Sequence, residues 1–146
     1  MTAPDDIAGV MVSLKPEFAK AVAEGRKTVE LRRRFPTVAP GVWLVIYATQ
    51  PVGAVVGISR IECVESRSVS SIWRKHRSRA AISKPKFHSY FAAQTHGYAV
   101  LLGEYEPVGP IASGEVKQII PGFCPPQSWR YLDFHALEAL RTLSTP

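Results

Sequence analysis

Gly25-Arg26-Lys27-Thr28-Val29-Glu30-Leu31-Arg32-Arg33-Arg34 joins the expected end of a helix to the start of a strand, and six of its ten residues are ionisable. Side chains on a strand alternate between two faces. Val29 and Leu31 therefore share one face, and Thr28, Glu30 and Arg32 share the other. A strand that only supported a core has no use for an amine, a hydroxyl, a carboxylate and guanidinium groups at such density. Two readings follow. One is a solvated edge strand with Glu30 paired to neighbouring arginines. The other is the wall of a site that holds a polar ligand and moves protons.

Outward from this stretch, period and punctuation mark the other elements. Val10–Leu14 reads as a short strand. Pro16 suits a first helical turn, Phe18, Ala21 and Val22 recur at helical spacing, and Gly25 is a C-terminal stop. Lys27–Arg34 is the charged strand. Val42–Ala48 is an apolar strand, and Ala54–Ile61 returns after Pro51-Val52-Gly53, with Gly57 marking a bulge or close approach. Ser68 caps a helix over 69–77, and Ser83-Lys84-Pro85 opens another running to about Ala93. Tyr98–Tyr105 is a strand, Ile111–Ile119 holds at least one more, and Ser128–Leu132 is a short one. Asp133 caps a last helix. Many short strands around a few helices predict an α+β fold built on a small β-barrel. No linker interrupts the 146 residues, so a single domain over 1–146 is expected, with 1–9 as an N-terminal extension and 133–143 as the C-terminal helix.

With 46% hydrophobic and 21% charged residues, the chain has the apolar content for a packed core. No apolar run reaches the roughly 18 residues that span a bilayer. Residues 1–9 lack the basic start and apolar stretch of a signal peptide, and a soluble, cytoplasmic protein without a membrane association is expected. Cys63 and Cys124 form no CxxC pair, and His76, His88, His96 and His135 show no ligand spacing. Walker, Rossmann and Gly-x-Ser-x-Gly patterns are absent. No cofactor and no metal are expected.

The formal charge is +6, and its excess is uneven. From Ser66 to Gly103 there is no acid, while Arg67, Arg74, Lys75, Arg77, Arg79, Lys84 and Lys86 fall inside that segment. Trp73, Phe87, Tyr90, Phe91 and Tyr98 are interleaved with them. Basic charge holds phosphates and aromatic faces stack on unpaired bases. The segment therefore points to nucleic acid or a nucleotide, against the alternative of a solvated helical face with its aromatics turned inward.

Several pieces together resemble a known family. They are Ser13-Leu14-Lys15-Pro16-Glu17-Phe18, Gly25-x-Lys27-Thr28-x-Glu30-x-Arg32-Arg33-Arg34, Val45-Ile46-Tyr47-Ala48-Thr49-x-Pro51-Val52, Ala54-Val55-Val56-Gly57 and Pro125-Pro126-Gln127-Ser128-Trp129-x-Tyr131-Leu132. In this order they resemble ASCH-domain proteins, from about Val10 to Leu132. The resemblance implies a PUA-like β-barrel with helices around a cleft, and a role tied to RNA or a modified nucleoside. Members of that superfamily include readers of nucleic acid, nucleases and a small amidohydrolase branch acting on N4-acetylcytidine. The amidohydrolase branch shares the Gly-Arg-Lys-Thr opening, and its catalytic lysine falls on Lys27. The threonine that this branch carries three places later is Glu30 here.

The candidate catalytic residues are Lys27, Glu30, Tyr47 and Ser128. Lys27 can neutralise a phosphate or serve as base or nucleophile. Glu30 can orient it or move a proton, or be a structural ion-pair partner. Tyr47 is a stacking or hydroxyl group, or an ordinary core tyrosine. Ser128, with Gln127 after a stiff Pro-Pro, offers donors to a base edge or oxyanion, or merely closes the barrel. Lys15, Thr28, Arg32, Arg34, Thr49, Arg74, Lys75, Arg77, Lys84, Lys86, Tyr98 and Gln127 complete the expected ligand surface. The leading expectation is an RNA- or nucleotide-binding module. The alternatives are a metal-independent ribonuclease or modified-nucleoside amidohydrolase in the same cleft, and a regulatory protein whose basic face covers a protein partner.

Overall fold

The structure is a computed structural model that describes residues 6–143. Its elements run β1 (Ile7–Leu14), α1 (Pro16–Ala23), β2 (Val29–Arg32), β3 (Trp43–Ala48), β4 (Ala54–Ser68), α2 (Val69–His76), α3 (Lys84–Tyr90), β5 (His96–Ala112), α4 (Ser113–Ile119), β6 (Arg130–Asp133) and α5 (Phe134–Leu143). The class is α+β, as expected. All six strands form one sheet in the order β2-β5-β4-β3-β1-β6. The sheet is not closed, a minor departure from the expected barrel. β2 and β6, four residues each, stand at its two ends and each pairs on one side only. Where a barrel would have its last backbone ladder, the Arg32 guanidinium at the end of β2 donates to the Ser128 carbonyl just ahead of β6. A side chain spans the seam.

The sheet carries three apolar clusters. Val10, Val12 and Leu14 of β1 pack with Leu44 and Ile46 of β3, Val100 of β5 and Ala19 and Val22 of α1. The opposite face of the same strands places Met11, Val45 and Tyr47 against Val116 of α4, Phe123, and Leu137 and Leu140 of α5. Val29 and Leu31 meet Ile72 of α2, Phe87 of α3, Phe91 at its C-terminal cap and Ala99 of β5. The period-two reading of the charged strand therefore holds. Its apolar face lies under α2 and α3, and Glu30 and Arg32 lie on the other side. Burying these faces supplies most of the folding free energy, at about 25 cal/mol per Å² of apolar surface removed from water.

Four expectations are corrected. The β4 and β5 strands, 15 and 17 residues, are about twice their expected lengths and pair along nearly their whole extent. Ser113–Ile119 is helix rather than strand, because Val116 and Ile120 at helical spacing reach the core beside α5. The charged strand is shorter than Lys27–Arg34, since only 29–32 pair with β5. Of the supposed N-terminal extension, Ile7–Gly9 belong to β1; Met1–Asp5 lie outside the described residues. Gly57 does mark a bulge, with the β4–β5 register shifting between Val55 and Gly57. No helix among the described residues is long and apolar enough to cross a membrane.

A polar network ties α2 to β4. The Glu65 carboxylate accepts from Arg67 at 2.7 Å, His76 Nε2 at 2.8 Å and Lys75 at 3.4 Å. The Arg67 hydrogen bond, with His76 and Lys75 adding to it, outweighs burial and holds the Glu65 carboxyl down to about 2. A carboxyl depressed in the folded state contributes stability above its unfolded value of 4.5 and loses it as pH falls through the window from 4.5 to about 2. Glu65→Gln is therefore expected to melt below wild type near neutrality and to converge with it through that window. Parallel melting curves for the two proteins across the window would refute this.

Candidate functional site

Helix α1 ends in a turn that aims Lys27. Ala23 is the last helical residue, Glu24 caps the helix, and Gly25 follows at φ +77°. The Gly25 amide donates to the Val22 carbonyl and the Arg26 amide to that of Ala21, the two bonds of a Schellman motif. Glycine meets the left-handed geometry without a Cβ penalty. The Lys27 amide then also donates to Ala21, so the backbone is held on entry to β2.

The loop after α2 completes the hold. The Arg79 carbonyl accepts from the amides of Thr28 and Val29, and Arg79 Nε donates to Thr28 Oγ1 at 2.9 Å. The next carbonyl, Ala80, accepts from Lys27 Nζ at 2.7 Å. Lys27 Nζ also lies 3.3 Å from Glu30 Oε1 and 5.1 Å from the centre of the Phe18 ring. The other carboxylate oxygen, Glu30 Oε2, accepts from Arg32 at 3.2 Å. Lys27, Glu30 and Arg32 are 3%, 4% and 9% exposed. The solvated-edge reading is thus excluded for these three. Two cations share one carboxylate out of water, leaving one net positive charge. Charges are costly to bury even when paired, so the arrangement is weak support for stability alone. Arg32 Nε is also buried without a hydrogen-bond partner.

The triad forms the floor of a cleft of about 820 Å³. The end of β1 supplies Ser13, Leu14 and Lys15, α1 supplies Phe18, and Arg33 and Arg34 continue from β2. Helix α3 supplies Lys86, Ser89 and Tyr90, while Gln127 and Ser128 form the rim at the seam. Six cations and one carboxylate, Glu30, line this space. Lys86 is neutralised by Glu17 across the cleft mouth at 3.2 Å. Such a surface attracts anions and repels divalent cations. Among the described residues no three His, Cys, Asp or Glu side chains gather to hold a metal ion.

The expected site residues divide accordingly. Lys15, Lys27, Glu30, Arg32, Arg34, Lys86, Gln127 and Ser128 line the cleft. Tyr47 does not; its hydroxyl meets Ser113 Oγ at 2.7 Å and its ring packs on Phe123 in the core, although Ser13 beside it in the β1–β3 ladder reaches the cleft. Thr28 is taken up by Arg79, Thr49 follows β3 outside the lining, and Tyr98 is half-buried against the inner cluster opposite Arg32. Lys75 is engaged by Glu65, and Arg74, Arg77 and Lys84 are exposed on the α2–α3 surface, away from the lining. Arg33, Ser89, Tyr90 and Gln94 are lining residues that the sequence reading did not place there. The signal for two of them, Ser89 and Tyr90, was present around α3: Phe87 and Phe91, four apart, point to the core, which leaves Lys86, Ser89 and Tyr90 on a second face.

Comparison with known proteins agrees with this architecture. The ASCH domain matches residues 12–108. An ASCH domain-containing ribonuclease from Zymomonas mobilis is 36% identical over 145 residues, covering 99% of this chain and 98% of the relative. The crystal structure of ASCH from Zymomonas mobilis superposes with a TM-score of 0.90 at 36% identity, over 94% of this chain and 96% of that one. The crystal structure of its S128A variant gives the same TM-score at 35% identity, over 96% and 99%. Extent, identity and superposition all lead to one statement: this chain belongs to the ASCH domain family.

Proposed function

We propose that this chain is an RNA-cleaving enzyme that binds single-stranded RNA in the cleft between β2, α1, α3 and the Gln127–Ser128 rim. The observation that carries the reading is the buried Lys27–Glu30–Arg32 triad on the floor of a cation-lined cleft. A pure reader gains little from burying a lysine and a glutamate 3.3 Å apart, whereas acid–base chemistry needs such a pair. The 36% identical relative named as a ribonuclease supports the choice of cleavage over simple binding.

The reaction uses the substrate's own 2′-hydroxyl. Its oxygen bonds to the adjacent phosphorus as the P–O5′ bond breaks, giving a 2′,3′-cyclic phosphate and a free 5′-hydroxyl. The O2′ proton passes to Glu30, and Lys27 gives a proton to the departing O5′. The two groups re-equilibrate across their own contact, so the cycle closes without a co-reactant. Arg32 holds the non-bridging oxygens whose charge grows in the transition state. Ser128 at the rim offers a further hydroxyl to the same phosphate.

The test is incubation of purified protein with single-stranded RNA in EDTA, with products resolved by mass spectrometry. Cyclic-phosphate ends formed in EDTA are expected. RNA retained but chemically intact would make the chain a reader, and deacetylation of N4-acetylcytidine with RNA intact would make it an amidohydrolase. Binding is expected to weaken steeply with salt. Lys15, Arg33, Arg34 and the net charge of the triad can engage about four phosphates, for a log–log slope near −3 on single strands. A flat salt response would remove the electrostatic part of the reading.

A further inference from the structure

We propose that Tyr90 and Arg33 form a nucleobase-stacking subsite on the α3 wall of the cleft, which takes one unpaired base of the RNA. The proposal rests on the RNA reading above and adds a position that phosphate chemistry does not require. Tyr90 is half-buried and lines the cleft. Its ring is anchored twice. It sits edge-on to buried Phe91 at 4.8 Å and 73°, and its hydroxyl accepts from the Arg33 amide at 3.1 Å. Phe91 in turn packs on Phe87 at 5.0 Å, so the ring rests on a fixed aromatic stack.

The Arg33 guanidinium lies over Tyr90, 4.6 Å from the ring centre. Arg33 is exposed, and its guanidinium has no ion-pair partner among the described residues. An aromatic face that lies under a solvated cation is one that a flat ligand can claim. A nucleobase stacks there in place of the guanidinium, and the long arginine chain swings to the neighbouring phosphate. The exchange leaves no charge stranded, because the guanidinium trades a ring for an anion. Ser89 and Gln94 line the same cleft and are exposed, and they present hydroxyl and amide groups to a base edge. In a duplex both faces of each base are stacked, so the subsite selects single strands.

The experiment uses a short 2′-O-methyl oligoribonucleotide and an abasic 2′-O-methyl ribose-phosphate oligomer of equal length, neither of which can be cleaved by O2′ attack. Anisotropy is read for wild type, Tyr90→Phe and Tyr90→Leu. Tyr90→Leu is expected to weaken the base-bearing oligomer roughly 10- to 100-fold and the abasic one less than about 2-fold, while Tyr90→Phe stays near wild type. In parallel, 2-aminopurine is moved along the oligomer and read on wild-type protein, where stacking quenches its fluorescence at one position. Equal loss on both oligomers together with absent quenching at every position overturns the subsite. Binding of neither oligomer by wild type overturns the RNA reading and the subsite with it. Quenching with unequal loss supports both.

Discussion

Lys27→Met is expected to slow RNA cleavage by about 10²–10⁴-fold, the usual contribution of a positioned acid or base. The same change removes one partner of a buried charge pair and leaves the Ala80 carbonyl without its donor. Breaking such a pair costs about 3 kcal/mol, so loss of activity alone would not separate chemistry from folding. The double variant Lys27→Met/Glu30→Gln separates them. It deletes both charges of the pair, and the glutamine carbonyl can still accept from Arg32. The net charge of the triad remains +1, so phosphate attraction is retained. The double variant leaves buried Arg32 with a neutral acceptor in place of its carboxylate, so it is not expected to melt above Lys27→Met, which keeps the Glu30–Arg32 pair. With the fold intact it is expected to bind RNA close to wild type, yet not to cleave it. Cleavage near the wild-type rate by the double variant would show that proton exchange between Lys27 and Glu30 is not the mechanism. Weak binding by a well-folded double variant would show instead that the lysine acts mainly as an anchor.

That experiment could be framed from the sequence in part, and the reason lies in the range of each interaction. Val29 and Leu31 alternating with Glu30 and Arg32 is a local pattern, and it identified the two faces of β2. The Gly25 turn, the Ser68 cap over the Ser71 amide and the Asp133 cap over the Ala136 amide are equally local. The partner that fixes Lys27, the Ala80 carbonyl, is 53 residues away and carries no side-chain signature. A backbone carbonyl cannot be read from residue type. The same applies to the seam, where Arg32 reaches a carbonyl 96 residues on. The long β4–β5 ladder was under-read because its charged outer half, Glu62 to Arg67, looks like a loop until β5 is known to lie beside it. Tyr47 illustrates the converse. Its strand was recognised, but its face packs toward α4, the helix misread as a strand, whose Ser113 hydroxyl meets that of Tyr47. Membership of the ASCH domain family supports an RNA-related function, while the candidate site itself had to be built from contacts.

Phe87→Ala is expected to cost about 3–5 kcal/mol, the range for removing a buried aromatic ring. Phe87 is 1% exposed and lies 4.8 Å from Trp73 and 5.0 Å from Phe91 between ring centres. Helix α3 has seven residues, too few to persist without packing. The cost should therefore fall first on the α2–α3 segment and the Arg79–Ala80 carbonyls that hold Thr28, Val29 and Lys27, not on the β3–β4 ladder. Amide exchange tests this directly. Thr28 and Val29 are expected to lose protection in the variant while Leu44 and Ile46 keep most of theirs. Phe87→Leu leaves a smaller cavity and should recover most of the loss. Because α3 also carries Lys86, Ser89 and Tyr90, RNA binding should fall in step with Thr28 protection rather than with global stability. Uniform loss of protection across all strands would mean that α2 and α3 fold as one unit with the sheet. In that case the cleft wall could not loosen without the whole chain unfolding.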